Sequence, residues 1–367
     1  MLASLSKVPV TDRLRAVSGF ALGLLIMFCA VRVFVVNSFD FENMQRGLRL
    51  IVQGINPWAP ATRIPHFYNP PHAVLFLWPM LFLTPKVYIV VGGALLFAFI
   101  FYRRAWVALA WFATNTALWL VAAGGIDMFV MGAGLLLLAA GDRAQNRWAG
   151  LLWRVLAYGL LMIKPQGGCF IVALYIIMRR DWKGLLASVV IYGLPFIALY
   201  PDWMRVLLSD PPRSQVVASH TIWAKYGPAV AGLIALGVAV SRKWKYWQLG
   251  GALAGIMTPY GMPGVPILLI LSGVRRLAAI PIFVLYSACL AVLTWVTPPA
   301  GVDFYEYISP LMAIYHLSML GLALVLACLS GDESEDADTI ALGDRVRQYL
   351  WSLARSISRW SGKTFSG

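Results

Sequence analysis

Charge is what this 367-residue chain has least of: Asp, Glu, Lys and Arg make up 13% of it, and only 16 residues are acidic. Soluble globular domains carry about 25% charged and roughly 45–50% apolar residues. Here the hydrophobic fraction is 60% and the mean hydropathy +0.73. That leaves too little polar surface to cover a water-soluble particle, which excludes a soluble enzyme and a disordered chain. Cysteine is scarce as well. The four present (Cys29, Cys169, Cys289, Cys328) all fall inside apolar runs, which excludes a disulfide scaffold and reads them as small packing residues. The four His show no metal-site spacing. Walker A, Gly-x-Ser-x-Gly and His-Glu-x-x-His motifs are missing, as is a Gly-x-Gly-x-x-Gly after a strand. No stretch between the apolar runs is long enough for a Rossmann-like domain.

What remains is an all-α integral membrane protein. Twelve apolar runs, near 16–37, 73–102, 105–122, 126–140, 148–163, 166–178, 184–200, 226–241, 245–258, 262–274, 277–296 and 308–329, approach or reach the ~20 residues that span a bilayer. The stretch after Lys7, Arg13 and Arg15 has no small-residue cleavage site behind it and is expected to be a retained first span. Several runs are short and end in polar motifs. Backbone at membrane depth that is not helical must be buried in protein or line a wet cavity, so a cavity on one side is expected.

The net charge of +14 reads as topology and attraction to anionic lipid, with no nucleic-acid partner. With a cytoplasmic N-terminus and alternating sides, Arg103-Arg104, Arg143, Arg147, Arg154, Arg179-Arg180, Lys183, Arg242-Lys243, Lys245 and Arg275-Arg276 all fall inside. Together with the two termini these account for 21 of the 30 Lys and Arg. The run at 73–102 is expected to be one long, kinked or partly re-entrant element, because two spans would invert every later loop. The same alternation puts the unusual polar motifs outside: Asp40–His72, Gly124-Gly125-Ile126-Asp127, Lys164-Pro165-Gln166, the 201–225 loop, Thr258-Pro259-Tyr260 and the 297–307 loop. The expected organisation is a transmembrane unit over 1–330, with 38–72 as its first outer loop. An acidic linker over 331–344 and an amphipathic tail over 345–367 follow. In that tail Val346, Leu350, Leu353, Ile357 and Trp360 recur at helical spacing, as in a helix lying on the inner leaflet.

The first outer loop concentrates groups able to do chemistry. It runs Asp40-Phe-Glu42, Arg46, Arg49, Gly54-Ile-Asn56-Pro57-Trp58 and His66-Phe-Tyr68-Asn69-Pro70-Pro71-His72. A carboxylate there can take a proton from an acceptor hydroxyl, or simply favour a helix start. Lys164, between two apolar runs, either meets a local anion or snorkels to the interface. Arg46 either clamps phosphate or pairs with Glu42 one turn back. His66 and His220 are candidates to contact phosphate. His316, within the last run, reads as a packing residue. Asp127, ionisable at the end of a run, is a functional candidate by default.

An acid followed by Phe, then Gly-x-Asn-Pro-aromatic, then Phe-x-Tyr-x-Pro-Pro opening the next run, resembles the polytopic GT-C glycosyltransferases. The chain is most similar to glycosyltransferase family 87, which includes polyprenyl-phosphate-mannose-dependent mannosyltransferases of bacterial envelopes. Lys164-Pro165-Gln166 and Thr258-Pro259-Tyr260 resemble later elements of that family. The likeness covers roughly 20–275 and departs at Met44, where an aromatic is usual, and at Gly124-Gly125-Ile126-Asp127.

The resemblance implies a GT-C-type bundle of about twelve transmembrane helices with a cavity open to the outer face of the cytoplasmic membrane. It also implies transfer, with inversion, of a hexose, most often mannose, from a polyprenyl-phosphate donor to a lipid or glycan acceptor. Asp40 matches the catalytic acid and would act as general base, with Glu42 supporting it. Lys164, Arg46, His66 and His220 would hold the donor phosphate, and Tyr68, Asp127, Gln166 and Tyr260 the sugar or acceptor. No metal ligand and no cofactor are expected; one acid-x-acid pair is thin support for a divalent metal. The rival expectation is a secondary transporter or lipid flippase, which accounts for short helices and an intramembrane Lys164 without catalysis.

Overall fold

The computed structural model describes residues 10–33, 39–64, 69–122, 126–209, 220–258, 264–292, 304–330, 339–340 and 352. The tail over 345–367 lies outside the described residues except for Ser352. What is described is almost wholly helical. In chain order the helices are α1 (Val10–Val33), α2 (Phe39–Val52), α3 (Pro71–Leu81), α4 (Pro85–Arg103), α5 (Asn115–Ala122, entered through 3-10 turns at Trp106–Ala113), α6 (Asp127–Arg143), α7 (Arg147–Leu161) and α8 (Pro165–Arg179). They continue with α9 (Trp182–Leu199), α10 (Pro201–Ser209), α11 (Ile222–Ser241), α12 (Tyr246–Met257), α13 (Gly264–Leu271), α14 (Ala279–Ala291) and α15 (Phe304–Leu329). Two short strands, Trp244–Lys245 and Thr339–Ile340, pair antiparallel. That pairing ties part of the acidic segment over 331–344 to the start of α12.

Five helices are long and apolar enough to cross a membrane: α1, α4, α9, α11 and the Pro310–Leu329 part of α15. Shorter apolar runs also became helices, some of them, such as α12 and α13, inside the bundle. All eight residues of α13 are buried. The 12 residues of α12 rise about 18 Å, against a hydrocarbon core of about 30 Å. Helices walled by other helices need not match lipid thickness, because protein meets their ends.

Local chemistry sets the helix boundaries. Asn146 caps α7 by accepting from the Trp148 and Ala149 amides, Asp181 caps α9 by accepting from Gly184, and Thr221 caps α11 by accepting from Ala224. Pro85 and Pro165 open α4 and α8, where their missing amide hydrogen is not needed. Gly92-Gly93 lets α4 lie between two neighbours. A Cβ on Gly92 would meet the Phe129 backbone nitrogen at 2.7 Å, and one on Gly93 would meet Met27 Cγ at 2.5 Å.

The run at 73–102 is divided. The chain breaks at Thr84, in extended backbone, and Pro85 restarts it as α4. His72 Nε2 donates to the Gly159 carbonyl near the end of α7 at 3.0 Å, and Gln45 Nε2 of α2 donates to the Met80 carbonyl at 2.8 Å. Both ends of α3 are therefore held in one half of the bundle, and α3 does not cross it. The chain keeps its sense through this segment, as the re-entrant reading expected.

The basic pairs collect at one end through direct contacts. Arg143 lies over the Tyr102 ring at 4.6 Å and within 4.0 Å of Asp12, and Arg103 stacks on Trp247 at 4.1 Å. Arg179 meets Asp142 at 3.4 Å, while Tyr175 donates to the same carboxylate and packs on Tyr246.

Candidate functional site

The opposite half of the bundle contains a recess. Leu161, the last residue of α7, packs where a Cβ on Gly134 would stand, at 2.6 Å. Gly134 is seven residues into α6, so the α7–α8 turn stops about 10 Å short of the level at which α6 begins. Gly168 permits that tight turn: a Cβ there would overlap the Leu161 carbonyl. The amides of Gly167 and Gly168 both donate to the Lys164 carbonyl, at 3.0 and 2.9 Å. At the same depth α12 ends at Thr258, whose hydroxyl donates to Ala254 and whose carbonyl accepts from Thr221 at 2.7 Å.

These elements enclose a small cavity lined by Leu120, Asp127, Met131, Gln166, Thr258 and Gly264. Its free volume is about 30 Å³, room for one or two waters. From the turn below, Lys164 reaches Asp127, Nζ to Oδ2 at 3.6 Å, with side chains 14% and 24% exposed. Three helix N-termini converge here: α6 at Asp127, α8 at Pro165 and α13 at Gly264. Each brings partial positive charge, although α8 opens on Pro165 and its Gly167 and Gly168 amides are already bonded to the Lys164 carbonyl. Asp127, at the first position of α6, is favoured by that dipole. Lys164, capping α8, is opposed by it and is stabilised by the Asp127 carboxylate. The net local field favours a further anion.

The structure thus brings Asp127, assigned to sugar or acceptor, to Lys164 and Gln166 of a second motif, assigned to phosphate and to sugar or acceptor. It joins to them Thr258 and Gly264, which sequence spacing alone did not mark as neighbours. Asp40 lies in the first turn of α2; its side chain, and all of His66, Tyr68 and Tyr260, fall outside the described residues. Its neighbour Phe41 packs edge-on to Tyr88 at 5.8 Å, and Tyr88 packs on Phe129, in the first turn of α6, at 5.1 Å. Three rings therefore connect the start of α2 to the helix that carries Asp127.

Two expected phosphate ligands are placed elsewhere. Helix α2 buries Phe41, Met44, Leu48 and Ile51, and Glu42 and Arg46 occupy its exposed side. Arg46 therefore does not line the cavity with Lys164. His220 is fully buried, with its Nδ1 3.1 Å from Nδ1 of His316. One of these nitrogens donates to the other, so His220 packs just before α11 against α15 and does not line the cavity with Lys164. His316, read as a packing residue, is the partner that sequence could not name. The Gly-x-Asn-Pro-Trp element is a docking turn. Asn56 Nδ2 donates to Asp202 at 2.8 Å, its Oδ1 accepts from the Trp58 amide at 3.0 Å, and the buried Trp58 packs edge-on to Tyr200.

His72 is buried, and loss of hydration pushes its pKa down to about 4, against a smaller opposing effect from its bond to the Gly159 carbonyl. It holds α3 on α7 as a neutral donor. Among the described residues no group of three or more His, Cys, Asp or Glu stands together. The chain matches no protein-family model, no curated protein and no solved structure.

Proposed function

We propose that this chain is a GT-C-type membrane glycosyltransferase of the kind its motifs resemble, with the donor phosphate seated at Lys164. The observation that carries the reading is the convergence of one intramembrane cation and three helix N-termini on a single recess. A phosphate there would meet the positive ends of helices and an ammonium whose partner Asp127 holds it in place. In this reading the remaining helices complete a bundle of about twelve crossings. Both termini and the basic end then face the cytoplasm, and the recess faces outward.

The mechanism is a direct displacement. Asp40 takes the proton from an acceptor hydroxyl as that oxygen attacks the anomeric carbon. The bond from that carbon to the phosphate oxygen breaks with inversion, and the departing polyprenyl phosphate carries its charge against Lys164 and the positive ends of α8 and α13. Asp127 and Gln166 are positioned to contact sugar hydroxyls. Room for one or two waters is too little for a hexose, so donor binding must displace Met131 or neighbouring walls of the recess.

Purified protein given a radiolabelled polyprenyl-phosphate hexose and membrane acceptors should transfer label to the acceptor. A transporter reading draws on one observation, the break in α11 at Gly227-Pro228, where Gly227 has φ 85. Uptake of substrate into proteoliposomes without transfer of label would establish that alternative and end the glycosyltransferase reading.

A further inference from the structure

The basic end carries two pockets built to one pattern. Helix α4 ends in Arg103-Arg104-Ala105-Trp106, and α8 ends in Arg179-Arg180-Asp181-Trp182. In each the second Arg closes the helix in the left-handed conformation, with φ of 55 at Arg104 and 52 at Arg180. These are the two positive-φ residues other than glycine among the described residues. Glycine is the residue that position favours, and a side chain is kept there against a steric penalty. Such residues gather where a site requires the side chain. Both arginines line pockets. Arg180, with Arg147, Arg154 and Lys183, lines one of about 570 Å³, and Arg104, with Lys245 and Arg275, lines one of about 360 Å³.

Charge decides what suits the larger pocket. Five cations, counting Arg179, face two carboxylates, Asp142 and Asp181, which leaves an excess of three positive charges. The carboxylates already serve the fold. Asp181 accepts from Arg154 Nε at 2.8 Å and from the Tyr158 hydroxyl at 2.7 Å, while Asp142 meets Arg179. The remaining guanidinium and ammonium groups are suited to the oxygens of a phosphate. The mouth of the pocket is apolar. Trp148 and Trp182 are 65% and 58% exposed there, and exposed Leu152, Leu185 and Leu186 continue the surface along α7 and α9. A soluble anion has no use for that surface. A ligand with phosphate and hydrocarbon chains does, and aromatic residues at a membrane interface sit where headgroups lie.

We propose that the Arg180 pocket binds the phosphate of an anionic phospholipid in the leaflet that meets the basic end, and that the Arg104 pocket is a second site of the same kind. This assignment is independent of the glycosyltransferase reading.

The test uses the full chain in nanodiscs of phosphatidylcholine with increasing phosphatidylglycerol. Lipid binding is read by native mass spectrometry and stability by thermal unfolding. Arg180→Gly removes the guanidinium while relieving the backbone, so in pure phosphatidylcholine it should unfold at or above the wild-type temperature. Its apparent affinity for phosphatidylglycerol should fall about five-fold, the effect of one cation near an anionic surface. Lys183→Gln, which leaves the backbone unchanged, should lower affinity by a similar factor, and Arg104→Gly should add to either. Equal phosphatidylglycerol affinity in wild type, Arg180→Gly and Lys183→Gln would overturn the proposal. So would inorganic phosphate at millimolar concentration reproducing the full lipid-induced stabilisation, since the pocket would then belong to a soluble anion.

Discussion

The two ends of this bundle use charge in opposite ways. At the basic end cations are many and already engaged: Arg154 with Asp181, Arg179 with Asp142, Arg143 and Arg103 over aromatic rings. The pockets there are wide, and Trp148 and Trp182 at the mouth of the larger one are exposed. At the recess a single ammonium faces a single carboxylate, and three helix ends supply the rest of the field. The contrast is between many cations tied to carboxylates and rings at one end, and one ion pair set among three helix N-termini at the other. The Lys164–Asp127 and Arg154–Asp181 pairs are withdrawn from water to a similar degree, with side chains 14% and 24% against 22% and 9% exposed, so the two ends differ in how many charges and helix termini gather there.

The sharpest way to separate the two ends is to remove one acid from each. On the recess side, Asp40→Asn should lower transfer by about 10²–10⁴, the usual contribution of a general base, with the thermal unfolding temperature unchanged. On the basic side, Asp181→Ala should do the reverse. It leaves Arg154, Tyr158 and the Gly184 amide without their shared acceptor, which costs about 3–5 kcal/mol. Thermal unfolding should register that loss, while transfer per folded molecule stays at the wild-type level.

A smaller effect comes from His72. Its pKa in the folded chain is about 4, against an ordinary value of 6.5. Below about pH 6.5 the unfolded chain gains a proton that the folded chain refuses. Stability is therefore full above that pH and declines towards pH 4, by roughly 3 kcal/mol. Comparing unfolding of wild type and His72→Gln across this window should show the difference, and identical pH profiles would contradict the burial of His72 against α7. Smaller still, Gly92→Ala should destabilise by about 1–3 kcal/mol through overpacking against α6, because the Phe129 backbone 2.7 Å away cannot rotate aside. Thermal unfolding measures it, with no loss of transfer beyond the unfolded fraction.

Much of this was legible in the sequence, for identifiable reasons. Long hydrophobic runs favour helices, so α9, α11 and α15 stand close to their expected bounds, while the run at 73–102 divides into α3 and α4. Bookkeeping of Lys and Arg against alternating runs put Arg103, Arg143, Arg179, Lys245 and Arg275 on one side, and the contacts among Arg143, Tyr102, Arg103 and Trp247 unite them. What escaped was tertiary. Spacing cannot show that Lys164 reaches Asp127. Nor can it show that His220 pairs with a residue 96 positions away in α15. The length of a run does not show what surrounds it: α12 and α13 are short and walled by protein. The left-handed arginines carry no sequence signal of their own. The backbone angles at Arg104 and Arg180 show them.

The central claim is that the recess around Lys164 holds the donor phosphate. Its most direct test is transfer from a radiolabelled polyprenyl-phosphate hexose by nanodisc-embedded wild type, Lys164→Gln and, as a basic-end control, Arg15→Ala, whose charge pairs with Asp12 at 2.7 Å. Losing one preorganised donor to a developing anion lowers turnover by about 10²–10³. The account predicts that loss in Lys164→Gln, with Arg15→Ala transferring at the wild-type rate. Lys164→Gln turning over as fast as the wild type would contradict it.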